Sequence, residues 1–172
     1  GMEVIISSGD KDLSQLVNEH ITIIDTMNGK RRDIAGVTAE FGVAPFQMLD
    51  YQCLVGDTVD NVPGVPKVGP KTAAKWLAEY GSLANLVAHA GDIKGAVGEH
   101  LRGALDWLPK GRELLTIKTD CDLTGYMEPE IAIQNIAARA QSTGALADFY
   151  TKYGFKGLVA ALQGGSSNKS PT

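Results

Sequence analysis

Cysteine is nearly absent from this chain: Cys53 and Cys121 are the only two in 172 residues, far apart and outside any CxxC pairing. That count excludes a disulfide framework and a thiolate metal site, and two free thiols suit a reducing cytoplasm. Histidine is as sparse. His20, His89 and His100 are scattered, with no triad and no cluster for a soft metal. There is no run of about eighteen apolar residues, so no segment reads as a membrane-spanning helix. The N-terminus lacks the basic-then-apolar layout of a secretory signal. A basic excess is missing too. The formal net charge of −4 argues against a general polyanion binder, yet leaves room for a local basic patch beside an acidic metal site.

What is present begins with an ordinary globular core, 44% hydrophobic. Glu3 to Ser7 and Ile21 to Ile24 are β-branched apolar runs that read as strands, and Asn28-Gly29 marks a turn that closes a hairpin. A short helix is expected over Thr38–Phe41, and a longer one from Pro45 through Leu54. Beyond Asp57 the pattern turns helical. Pro70 to Tyr80 carries Pro in its first turn and Gly81 past its end, Ser82 caps Leu83 to Ala88, and Pro109 starts or kinks a helix within Leu101–Ile117. Pro129 to Ile136 reads as loop. Ser142 caps a last helix through Tyr150, and Gly164 to Thr172 has linker composition. Two strands alone make a marginal sheet, so the expected fold class is α/β truncated to mostly α: the later part of a larger parallel α/β domain. The expected division is an α/β remnant over 1–44, a helical subdomain over 45–163 and a disordered linker over 164–172.

Two pairs of carboxylates carry the chemistry. Asp10 and Asp12 follow a strand directly, where ligands of α/β sheets gather. Asp57 and Asp60 are three apart, so on a helical turn both face one way. Carboxylate oxygens suit Mg²⁺ or Mn²⁺, and two such ions about 4 Å apart serve phosphodiester hydrolysis. Each pair alone is equally explained by helix capping.

The stretch that follows, Pro63-Gly-Val-Pro-Lys-Val-Gly-Pro-Lys-Thr-Ala73, shifts that balance toward metal. Gly64 and Gly69 permit unusual backbone angles and let a phosphate approach the main chain. The helix beginning at Pro70 offers its positive end, with Lys71 and Lys75 on one face and Lys67 in the hairpin. Such a loop grips phosphates irrespective of sequence, and its carbonyls can hold K⁺. The bland alternative is a plain turn between helices.

At these residues the chain resembles the 5′-nuclease domains of bacterial DNA polymerase I type, in the flap endonuclease superfamily. The resemblance rests on Ser8-Gly-Asp-Lys-Asp-Leu-Ser-Gln-Leu16, Gly56-Asp-Thr-Val-Asp-Asn-Val-Pro-Gly64, Gly69-Pro-Lys-Thr-Ala73 and Leu115-Thr-Ile-Lys-Thr-Asp120. It implies a remnant of a PIN-like sheet followed by a SAM-like helix-hairpin-helix (three-helix) DNA-binding motif. It implies two Mg²⁺ or Mn²⁺ ions per complete site, with Asp10, Asp12, Asp57 and Asp60 among their ligands. It places Gly64, Lys67, Gly69, Lys71, Thr72 and Lys75 at the DNA backbone, with K⁺ on the main chain of Val65 and Val68. The implied activity is 5′→3′ exonuclease and flap endonuclease action in primer removal and DNA repair, in the cytoplasm. The implied partners are DNA with a 5′ flap or 5′ end and the rest of a polymerase I chain, a transferase. No membrane partner and no oligomer is expected.

The family's domain opens with a strand ending in aspartate, further acidic residues and a basic helical arch, none of which stands before the Ser8-Gly-Asp-Lys-Asp12 motif here. The isolated chain is therefore expected to bind DNA without cutting it efficiently. Two alternatives are a stand-alone DNA-binding module and a PIN-like nuclease acting on RNA. Trp76 and Trp107 read as core, Lys30-Arg31-Arg32 as a solvated loop, and Arg102, Lys110 and Arg112 as an extension of the phosphate track.

Overall fold

The computed structural model describes residues 2–126, 136–138 and 140–164. The chain packs as two units, Gly1–Asp120 and Cys121–Thr172. The boundary expected after residue 44 falls inside the first unit, where sheet gives way to helix.

β1 (Val4–Ser7) and β2 (Ile21–Asp25) pair in parallel, Val4 opposite Ile21 and Ser7 opposite Ile24. A parallel pair needs a crossover. It runs through Ser8–His20 and contains a 3₁₀ turn, Asp12–Leu16, just beyond the carboxyl end of β1. β3 (Lys30–Arg32) returns antiparallel to β2, giving the order β1-β2-β3. Three consecutive cations suggest a solvated loop, but Arg32 is buried because its guanidinium forks onto Glu40 at 2.7 and 3.2 Å. α1 spans Ile34–Phe41, four residues earlier than its apolar pattern suggests, because the Asp33 carboxylate caps it by accepting the Gly36 N–H.

A 3₁₀ turn, Pro45–Gln47, leads into α2 (Met48–Val55), the central helix. Met48 and Leu54 are completely buried in it, but so, almost, are Asp50 and Gln52. β4 (Gly56–Asp57) and β5 (Val62–Pro63) form a two-rung antiparallel ribbon. α3 (Pro70–Tyr80) and α4 (Leu83–Ala88) begin and end where proline, glycine and Ser82 indicate, and the Ser82 hydroxyl accepts the Asn85 N–H. α5 (Gly95–Ala104) and α6 (Leu108–Leu115) follow, with Pro109 in the first turn of α6. Ile23, Val37, Leu54, Leu77, Leu86 and Leu101 form the fully buried centre of the first unit.

In the second unit Ser142 caps α7 (Thr143–Lys152) as expected, and α8 (Lys156–Gly164) follows it. The Phe149 and Tyr153 rings pack at 4.7 Å. α7 is therefore not the last helix. Leu158, Val159 and Leu162 already carried a helical rhythm, masked by the glycines around them. The loop expected from Pro129 lies outside the described residues up to 135, as does the expected linker beyond Gly164. Among the described residues no helix is long and apolar enough to cross a membrane.

The two cysteines sit in opposite environments. Cys53 is 2% exposed and burial pushes its thiol up to about 12, while Cys121 is exposed. With a chromogenic disulfide at neutral pH, one thiol should react at once and the second only on adding denaturant. Two fast thiols would show that α2 opens readily.

Candidate functional site

The loop after β1 is shaped by its own aspartates. Asp10 accepts the Asp12 N–H at 2.9 Å, and the Asp10 N–H donates to the Ser8 hydroxyl at 3.1 Å. Asp10 thus holds the start of the 3₁₀ turn and frees the Asp12 carboxylate to point elsewhere. The second pair is not on a helix. Gly56, at φ 80°, ends α2, and Asp57 closes a turn by accepting the N–H groups of Val59 (2.9 Å) and Asp60 (3.4 Å). An aspartate that takes the N–H groups a helix would use competes with the helix, which is why three-residue spacing misleads here. Asn61, at φ 56°, completes the turn into β5.

These two turns meet. One carboxylate oxygen each from Asp12, Asp57 and Asp60 lie within 4.8 Å of one another. Asp57 is 3% exposed and Asp60 is exposed, so the cluster has a buried floor and an open side. Asp10 stands outside the trio but lines the same open cavity of about 420 Å³, with Lys11, Arg32, Glu40 and Val59. The Lys11 ammonium hydrogen-bonds Asp57 and lies 3.7 Å from Asp12. That bond holds the Asp57 carboxyl below the usual carboxylate range against the opposing effect of burial. Burial raises Asp12, opposed by the Lys11 charge. Burial would lower Lys11, but its bond to Asp57 and the charges of Asp12, Asp57 and Asp10 keep it raised. Three carboxylates facing one ammonium still carry excess negative charge. The donor set is all oxygen, and a cationic group already stands in among it, so these residues fit a hard divalent cation.

The supports of this cluster are not apparent from sequence. Arg32, clamped by Glu40, also donates to the Gly9 carbonyl at 3.4 Å and so braces the loop that carries Asp10–Asp12. Gln52 donates to Asp12 from within α2. The available signal was a lone amide among apolar positions of a buried helix, Leu49, Tyr51, Cys53 and Leu54.

The β4–β5 ribbon leads from the acidic cluster to the lysine hairpin. Gly56 pairs with Pro63 and Asp57 with Val62. The next residue, Gly64, is pressed against its own chain: a Cβ there would lie 2.4 Å from Gly56 N and from the Val55 carbonyl carbon, and 2.6 Å from Leu54 O. Gly64 is needed for close backbone approach, not for an unusual φ or an unobstructed phosphate path. Positive φ falls instead on Gly56 and on Lys67 (64°). Gly69, at φ −105°, leaves nothing within 4 Å of its missing Cβ, and that surface stays open. Within the loop the Val65 N–H donates to Leu54 O (2.9 Å) and the Val68 N–H to Val65 O (3.1 Å), with both valine side chains buried.

No side chain caps α3, whose N-cap is Gly69. Gly69, Pro70, Lys71 and Thr72 line a surface cavity of about 380 Å³ at its positive end, and Lys67, Lys71 and Lys75 are exposed. The root of the hairpin is tied down by Trp107, whose indole N–H donates to Pro63 O at 2.7 Å. Trp76 is core as expected. Arg102 donates to Ala90 O and Ile93 O, Lys110 pairs with Glu113, and Arg112 pairs with Asp50. All three have partners within the protein, and the Lys110–Glu113 pair is exposed.

A small mixed sheet with acidic residues at its carboxyl edge, a two-rung ribbon and a helix–hairpin–helix element define a mostly helical α/β fold of the 5′-nuclease class. Residues 43–139 match the family described as 5′-3′ exonuclease, C-terminal SAM fold, and the chain belongs to that family. It is 43% identical over 124 residues to DNA polymerase I of Rhizobium leguminosarum, covering 72% of the chain and 12% of that protein. It is 38% identical over 167 residues to DNA polymerase I of Pseudomonas aeruginosa, covering 92% and 18%. The chain thus spans less than a fifth of the length of these curated relatives. Among solved structures it is similar to T5 5′-exonuclease with bound zinc (TM-score 0.61, 18% identity, 66% of this chain and 42% of that one). It is equally similar to bacteriophage T5 flap endonuclease in complex with DNA and metal ions (TM-score 0.61, 17% identity, 66% and 42%). At such identities the likeness shows the fold.

Proposed function

We propose that the chain is the DNA-gripping part, and some of the metal-holding part, of a structure-specific 5′→3′ exonuclease or flap endonuclease belonging to a DNA polymerase I-type protein. The observation that carries this reading is the convergence of Asp12, Asp57 and Asp60 within 4.8 Å, one two-rung ribbon away from the lysine hairpin. Asp12, Asp57 and Asp60 hold Mg²⁺ or Mn²⁺, and Asp10 joins from the rim of the same cavity. Such ions, two in a complete site, neutralise charge at a scissile phosphate and make bound water a better nucleophile.

The chain's own contribution is to bind and orient. Lys67, Lys71 and Lys75 meet successive phosphates, and the first-turn N–H groups at Lys71 and Thr72 meet one directly. Gly69 keeps that approach open, and Gly64 holds the loop against α2. The carbonyls of Val65 and Val68 are the candidate seat of K⁺. The substrate is DNA with a 5′ flap or 5′ end, in primer removal and repair in the cytoplasm, as the kinship with DNA polymerase I supports. The three clustered carboxylates of the described residues make a partial cradle for two ions. The isolated chain therefore binds flap DNA and cuts it poorly.

Flap-DNA binding read by fluorescence anisotropy between about 50 and about 200 mM salt tests the grip. Lys71→Ala should weaken binding equally across sequences and lower the salt slope by about one. An unchanged slope would remove the hairpin from the interface. Brisk Mg²⁺-dependent turnover by this chain alone would overturn the partial-cradle reading.

A further inference from the structure

The Gln52 side chain is 2% exposed inside α2. A primary amide taken out of water is tolerated when both of its ends are bonded. Both ends are: Nε2 donates to Asp12 Oδ1, and Oε1 accepts from Gln15 Nε2 at 2.8 Å. Gln15 donates from the same Nε2 to Leu115 O at 2.8 Å, and its Oε1 accepts the Ile117 N–H at 3.3 Å.

The direction of this relay is forced. A backbone carbonyl only accepts and a backbone N–H only donates. Leu115 and Ile117 therefore orient the Gln15 amide with its NH₂ toward Leu115. That NH₂ also faces Gln52, which must answer with its oxygen. Only the Gln52 NH₂ is left for Asp12. Backbone groups up to 102 residues beyond Gln15 in sequence thus decide that Asp12 meets a donor. A donor on Oδ1 fixes the carboxylate's rotation and leaves its remaining lone pairs for the space shared with Asp57 and Asp60.

We propose that Gln52 is a positioning residue. Locked by Gln15 to the segment Leu115–Ile117, it aims the Asp12 carboxylate at the shared cation position and couples divalent-ion binding to the chain just after α6. The inference rests on the metal reading above. Its second half follows from reciprocity: if the relay tightens ion binding, the ion must tighten the relay.

The test uses the 172-residue chain, Mn²⁺ alone as probe, and two readouts: Mn²⁺ affinity by electron paramagnetic resonance and hydrogen exchange at the Ile117 amide. Gln52→Met keeps length and removes the donor. It should weaken Mn²⁺ binding by about 10- to 100-fold, the usual effect of losing an outer partner of a ligand. Mn²⁺ should slow Ile117 exchange in the unaltered chain and not in the variant. Gln15→Met, at a less buried site, repeats the test should Gln52→Met not fold, with the same loss of coupling expected. Equal Mn²⁺ affinity in the unaltered chain and a folded variant would overturn the relay and leave the metal centre standing. Failure of the unaltered chain to bind Mn²⁺ would overturn the metal centre itself.

Discussion

Gly64→Ala lowers the stability of the first unit by about 3 kcal/mol or more, at the upper end for overpacking in a close-packed region. The added methyl meets Gly56 N, the Val55 carbonyl carbon and Leu54 O at 2.4, 2.4 and 2.6 Å. All three are main-chain atoms of the α2–β4 junction, and none can swing aside as a side-chain tip would. Relief requires the ribbon to move away from α2, breaking the Val65 N–H to Leu54 O bond and straining the Asp57–Val62 pair. Gly103→Ala is the matched control. It lies inside α5 with nothing within 4 Å of its missing Cβ, so the same methyl should stabilise by about 0.5–1 kcal/mol. Urea denaturation followed by circular dichroism measures both. Similar midpoints for the two variants would mean that the Gly56–Gly64 approach is not a constraint on the fold.

Asp57→Asn should weaken Mn²⁺ or Mg²⁺ binding by at least about a hundredfold, since loss of a ligand exceeds the 10- to 100-fold effect of losing its outer partner. The turn should survive, because the amide oxygen still accepts the Val59 and Asp60 N–H groups. What disappears is charge. The bond from Lys11 holds the folded Asp57 carboxyl below its ordinary value, so the carboxylate stabilises the metal-free fold above the ordinary value of about pH 4. That contribution is lost as pH falls through the lowered folded value. Metal-free Asp57→Asn is therefore less stable than the unaltered chain near neutral pH, and the gap closes on acidification below about pH 4. Calorimetric titration and melting curves across that range check both halves. Undiminished ion affinity would exclude Asp57 from the site.

Local signals made some elements readable from sequence and hid others. β1 and β2 announce themselves by β-branched runs. α3 and α4 are bounded by residues whose backbone chemistry allows little else: Pro70, Gly81 and Ser82. The acidic residues are recognisable by type and motif, but not in geometry. Nothing local shows that Asp57 closes a turn instead of riding a helix, because its carboxylate and the helix compete for the same N–H groups. Arg32 and Gln52 escape notice because their meaning is tertiary. One needs Glu40 and the Gly9 carbonyl, the other needs Gln15 and Asp12, and no spacing rule connects them. Gly64 is conspicuous in sequence, but the atoms that forbid its side chain lie on the facing strand and the end of α2.

The β4–β5 ribbon has only two rungs, Gly56 with Pro63 and Asp57 with Val62. At about 3.3 Å per residue, the Asp57 rung and the first glycine of the loop, Gly64, are separated by only about 7 Å along the ribbon. A gauge so short has no slack. A residue added to the turn at 58–61 would pull Asp60 out of the acidic cluster, and one inserted inside the ribbon would rotate Asp57 to the opposite face. Mutational drift must therefore carry the acidic end and the lysine end as a single indivisible unit.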